Sequence, residues 1–200
     1  TNSTLKEAQY YSAGAGVGAQ REITYTPPPT VDVYYSIGTS TADLKTGSPT
    51  ITIASGTATL SVPQTGNIGV GDVITYNTSS KAYIKSVTSQ STFVVTTATG
   101  ATPGNVSGQT VNSIKRVFND IATAESSSSG ASYLTTTNLA AGNLTLTWVC
   151  YNDGPFNVAA TTSIAGWVAD STRFITLTAA GASQVVSGVS QRHTGTAGTG

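Results

Sequence analysis

The sequence has no methionine, one cysteine and one histidine in 200 residues, and it carries only nine basic and nine acidic side chains for a formal net charge of zero. Each scarcity removes a class of function. A single thiol, Cys150, excludes an internal disulfide framework, and without clusters of Cys and His a transition metal has no ligand set. The one histidine, His193, sits in the Gly-rich stretch 191–200, where no Ser-His-Asp or Cys-His order can be assembled around it. A neutral chain with no basic stripe lacks the lysines and arginines that grip a phosphate backbone. No apolar run approaches the roughly 20 residues of a membrane helix, and the strongest one, beginning at Leu144, is interrupted by threonines. The expectation is a chain with no catalytic residues, no cofactor, no metal, no nucleic acid partner and no membrane insertion. The missing methionine, absent even at position 1, points to a processed N-terminus or a trimmed piece and is compatible with export.

What is abundant is threonine and serine. With 38% hydrophobic and only 9% charged residues, the surface must be built from uncharged polar groups. Runs of β-branched residues such as 50–52 and 93–97 favour extended backbone, so the predicted class is mainly β.

Three regions follow from patterning. Residues 1–31 hold a run of small residues at 13–18 and the spacer Pro27-Pro28-Pro29, which reads as an extended N-terminal arm. Within it, 21–25 alternates around Ile23 and either pairs as a strand on a neighbouring sheet edge or forms part of a leader without fixed structure. Residues 32–110 alternate in short runs at 31–36, 50–53, 57–62, 73–76, 82–87 and 92–97. Turn signals such as Ser55-Gly56 separate them, the spacing of a small antiparallel barrel or sandwich. The turn Gly69-Val70-Gly71-Asp72 reads as one in which the Asp side chain bonds local backbone N–H groups. In 111–200, Ile114, Val117, Phe118 and Ile121 recur at helical spacing, which predicts a helix over 112–125 capped by Asn112 or Ser113. Strands are expected to resume at 144–151, 162–168, 174–178 and 184–189, either as coils of a β-solenoid or as a second sandwich.

Asn152, Asp153 and Asp170 could supply oxygen ligands to calcium, but carboxylates scattered singly do not converge into a tight site. Nor can Asp153 and Asp170 be placed as the paired acids of a glycosidase. Trp148, Trp167, Tyr34, Tyr35 and Tyr151 could stack on sugar rings, yet each lies in an apolar run, which favours core packing. Asn-X-Ser/Thr sequons at Asn2, Asn77, Asn105 and Asn143 mark possible glycosylation, although ten asparagines in so Ser/Thr-rich a chain would give about three by composition alone.

Several segments together carry a resemblance: Tyr34-Tyr35-Ser36-Ile37-Gly38-Thr39, Val111-Asn112-Ser113-Ile114-Lys115-Arg116, Val149-Cys150-Tyr151-Asn152-Asp153-Gly154-Pro155, Ile164-Ala165-Gly166-Trp167 and Arg192-His193-Thr194-Gly195. Over about 34–195 the chain resembles the N-terminal region of large secreted bacterial proteins built on a right-handed parallel β-helix, the fold of pectate lyases, tailspikes and adhesins. The resemblance implies a small β-domain, a capping helix over 112–125 and the first coils of the solenoid. It carries over no catalytic motif. A solenoid that stops at Gly200 would expose an unpaired parallel edge. An arm plus an open edge is the arrangement for strand addition, and a head-to-tail contact of that kind polymerises unless a rotation closes it. The expected function is therefore an extracellular or cell-surface fibre subunit, a homo-oligomer whose intersubunit contacts come from Tyr10, Tyr11, Ile23 and Tyr25 of the arm. Those tyrosines would otherwise fold back on their own domain. The alternative function is the leading module of a secreted β-helix protein that binds or acts on carbohydrate.

Overall fold

The computed structural model describes residues 29–156 and 161–192. Its first large element is a closed antiparallel barrel of six strands: β2 (Thr50–Ala54), β3 (Thr57–Leu60), β4 (Val73–Tyr76), β5 (Ser80–Val87), β6 (Thr92–Thr96) and β7 (Val106–Lys115). Strand order around it is β2-β3-β6-β5-β4-β7. Alternation explains the closure, because β2 and β3 turn Ile51, Ile53, Ala58 and Leu60 inward and their threonines outward. The β2–β3 hairpin turns on Ser55 and Gly56, whose φ values of 49° and 78° are those of the two-residue turn that matches strand twist. β7 closes the barrel by pairing with β2 through its first half and β4 through its second, bending at bulges near Gly108 and Asn112.

The second element is a parallel sheet in the order β1 (Val31–Ile37), β8 (Leu144–Cys150) and β9 (Ile175–Ala179). In register, residues side by side point to the same face. Three apolar rows therefore run across the sheet: Val33–Leu146–Ile175, Tyr35–Trp148–Leu177 and Ile37–Cys150–Ala179. Their inward face forms a second core with Phe118, Ala124, Leu134 and Leu139, in which Tyr35 packs edge-on against Tyr83, Phe118 and Tyr133. The chain is thus mainly β, with the barrel followed by a short helix and parallel strands. β1, which sequence patterning groups with the barrel strands, pairs instead with β8 across the whole barrel insertion.

The helix lies elsewhere than its periodicity predicts. Residues 112–115 belong to β7, and α1 spans Ile121–Ser127. Ile114 and Phe118 are buried in two different cores, so their spacing reflects a strand crossing from the barrel to the parallel sheet rather than one helical face. The cap is Asp120, whose carboxylate accepts from the backbone N–H and hydroxyl of Thr123 at 2.6 and 3.0 Å. Ala124 of α1 packs into the core of the parallel sheet. Asp120→Ala should cost about 1 kcal/mol, read as a lower urea midpoint with an unchanged slope. A second short helix, α2 (Leu139–Gly142), leads into β8.

Of the strands expected after α1, those at 144–151 and 174–178 form as β8 and β9. Residues 162–168 contribute only a bridge from Val168 to Asn138, and 184–189 only the bridge of Val185 to Gly69 after a single 3-10 turn. The first spends its backbone groups on the chain at 137–140, where Val168 N–H donates to the Thr137 carbonyl, and the second on the barrel side, where Val186 N–H donates to the Ile68 carbonyl. No helix among the described residues is long and apolar enough to cross a membrane.

Candidate functional site

The two edges of the parallel sheet differ. At β1, Ser36 turns both backbone groups outward, its N–H donating to the Gly71 carbonyl and its C=O accepting from Phe118 N–H, each at 3.0 Å. Gly71 sits at φ +90° with room for no side chain, since a Cβ there would lie 2.5 Å from Ser36 N. The chain entering β4 and the segment after β7 therefore tie down this edge at its C-terminal end. At β9, Leu146 N–H donates to the Phe174 carbonyl and Ala180 N–H to the Cys150 carbonyl. The alternation of a parallel ladder then turns the backbone groups of Ile175, Leu177 and Ala179 away from β8. Among the described residues only the Thr178 hydroxyl, donating to the Ala179 carbonyl at 3.4 Å, bonds to any of them, and no strand does. The apolar rows end here too: Tyr35 and Trp148 are fully buried, whereas Leu177 in the same row is 46% exposed. Apart from Val94, the exposed large apolar residues among those described (Ile164, Val168, Phe174, Leu177 and Val189) all lie on β9 or in its flanking segments.

The tied-down end of β1 is fastened by a buried charge cluster. Arg116, just past β7, donates from Nε and Nη2 to the two carboxylate oxygens of Asp153 at 2.7 and 3.0 Å. Its Nη1 reaches both oxygens of Asp72 at 2.8 and 2.7 Å, and both terminal nitrogens donate to the Asn67 carbonyl at 3.2 Å. Its plane lies 3.5 Å from the Tyr151 ring centre. All five guanidinium N–H groups are thus used, the condition under which a buried arginine is tolerated. Burial pushes the Asp72 carboxyl up and Arg116 pulls it back, while the two carboxylates hold the guanidinium firmly protonated. Asp72 also accepts from Gly69 N–H at 2.9 Å, the local bond expected of that turn. The link from Asp72 to Arg116 and Asp153 has no signal in linear spacing, because it joins three separate elements.

The other residues singled out from sequence are dispersed. Asp153 faces Arg116, whereas Asp170 accepts from Thr172 and Arg173 in its own exposed loop, where the Thr172 hydrogen bonds lower its pKa to about 2. Trp148, Tyr35 and Tyr151 are buried, in keeping with core packing, and the Trp148 indole donates to the Ser128 hydroxyl at 3.0 Å. Burial raises the Cys150 thiol pKa, which disfavours the reactive thiolate. Asn77 and Asn105 are exposed, while the Asn143 amide nitrogen, the atom a glycan would occupy, donates to the Pro29 carbonyl at 2.9 Å. Asn2, Tyr10, Tyr11, Ile23, Tyr25 and His193 lie outside the described residues.

No protein-family model, curated protein or solved structure matches the chain.

Proposed function

We propose that the chain is an extracellular structural subunit that assembles head to tail through strand addition at β9. The observation that carries this reading is the free edge of β9, where outward backbone groups coincide with the exposed end of the apolar rows. Because the donated arm and the β9 edge are different surfaces of the chain, a contact between them is heterologous. The occupant is the segment 21–25 of a neighbouring copy, which sets Ile23 between polar residues and is followed by the stiff Pro27-Pro28-Pro29 spacer. The Thr- and Ser-rich, lysine-poor composition suits an extracellular setting.

A second reading is favoured by the difference between the two edges: a parallel stack tied down at the end of β1 and open at β9 is the arrangement expected of the leading module of a longer β-helix protein directed at carbohydrate. Negative-stain electron microscopy with sedimentation velocity separates the two. The test compares the full chain, a chain lacking residues 1–28, and Leu177→Pro. Proline removes an outward N–H without touching the ladder to β8. Filaments from the full chain that are lost in both variants support strand addition. A full chain that stays monomeric overturns it in favour of the leading-module reading.

A further inference from the structure

A cleft of about 310 Å³ opens between the loop after β1, the end of β7 and α1. Its shape is fixed from several sides. Lys115 pairs with Val73 in the barrel, and the loop is tied to β7 by Leu44 N–H on the Ile114 carbonyl at 2.8 Å and by Ile114 N–H on Asp43 at 3.0 Å. Its apolar wall is Phe118 and Tyr133, with ring centres 5.0 Å apart, and Tyr133 is further held 5.5 Å from Tyr35. Thr41, Lys115, Asn119 and Ser127 line the cleft beside this wall and, with Tyr133, bring polar groups to it. Thr41, Lys115 and Asn119 are exposed and Ser127 and Tyr133 half-buried, and none of the five makes a side-chain hydrogen bond among the described residues, which leaves them open to a ligand.

Among the described residues no carboxylate lines the cleft. Asp120, next to it in sequence, is turned into the cap of α1, and the Arg116 guanidinium is consumed by Asp72 and Asp153. Lys115 is then the one uncompensated charge of the lining. Its volume lies at the lower bound of small-molecule sites, roughly 300 to 1,000 Å³, enough for one or two sugar rings.

We infer that this cleft binds a pyranose bearing a single anionic group, a carboxylate or a sulfate. The apolar C–H face of the ring lies against Tyr133, the ring hydroxyls exchange hydrogen bonds with Thr41, Asn119 and Ser127, which both donate and accept, and the anion meets Lys115. The site is independent of β9, so it stands whether or not the chain polymerises.

Saturation-transfer NMR on the full chain tests the inference, since ligand signals are observed even from large assemblies. The probes are methyl glucuronoside, glucose 6-sulfate and neutral methyl glucoside. Expected is transfer to both anionic probes and a roughly tenfold or greater preference over the neutral one. Lys115→Gln, an exposed change on β7, should abolish that preference, and Tyr133→Leu, checked for an intact melt, should weaken all three probes. The carboxylate and sulfate arms identify which anion is preferred. Equal transfer from neutral and anionic probes, or a preference that survives Lys115→Gln, overturns the assignment, as does absence of transfer from all three.

Discussion

Arg116→Met should lower the stability of the protein by roughly 3 to 5 kcal/mol, the cost of stranding a buried partner charge. For a chain of this size that is a fall in melting temperature on the order of 6 to 20 °C. Asp72 would remain fully buried with its strongest partner gone, keeping the Gly69 N–H and the Ser36 hydroxyl. The loss should depend on pH in a stated direction. Burial already pushes the Asp72 carboxyl up, and removing Arg116 removes the main opposing influence, so the folded-state pKa in the variant lies above the unfolded value. A carboxyl raised in this way binds more protons folded than unfolded, so the variant is best off in acid and loses stability as pH rises through that folded pKa. Calorimetric melts from about pH 4 to 8 should therefore show the gap from wild type widening with pH. Adding Asp72→Asn to the variant removes the stranded charge while keeping an acceptor for Gly69, and should restore part of the loss. A variant that melts with wild type at neutral pH would mean that the cluster does not fasten barrel to sheet.

Trp148→Ala should cost a further class of energy, roughly 3 to 5 kcal/mol, as a large cavity opens in a core that cannot fully collapse. Trp148 is fully buried at the centre of the middle strand, between Tyr35 and Leu177 in the same row. Its loss also takes away the indole N–H from Ser128, although that hydroxyl keeps its bond to the Ala124 carbonyl at 2.6 Å. Urea unfolding reads the effect as a shifted midpoint. The exposed row-mate gives the contrast: Leu177→Ala, already half in solvent, should lose far less. A Trp148 change no costlier than the Leu177 change would show that the rows are not a packed stack.

Much of this architecture is legible in sequence because it rests on local rules. The barrel strands alternate, their turns carry residues suited to left-handed backbone, and Asp72 caps its own turn, so each announces itself within a few positions. The passage 112–125 misleads because two buried positions in different cores, Ile114 and Phe118, happen to fall four apart. Proximity in sequence stands in for a shared face only when one element carries both residues. The parallel sheet is half legible: β8 and β9 are apolar runs, but their partnership with β1 is set by a pairing whose neighbouring contact, Thr145 on Asp32, spans 113 positions. The charge cluster is opaque for the same reason, since Asp72, Arg116 and Asp153 are ordinary residues until the chain brings them together. Tyr133 and Lys115 likewise become neighbours of one cleft only through tertiary packing.

That long separation also governs the order in which the protein forms. Drawing Val31 to Leu144 through an unstructured chain of about a hundred residues would cost roughly 4 kcal/mol in loop closure before any parallel contact repaid it. The barrel is made of neighbouring hairpins, and its first and last strands lie side by side, with Thr50 paired to Thr110. Once folded it acts as a splint that holds the ends of the insertion together, leaving the connections 38–49 and 116–143, far shorter together than the whole insertion, to bring β1 to β8. Barrel formation should thus precede the parallel sheet in time, and the rate at which β1 finds β8 is set by a domain to which neither strand belongs.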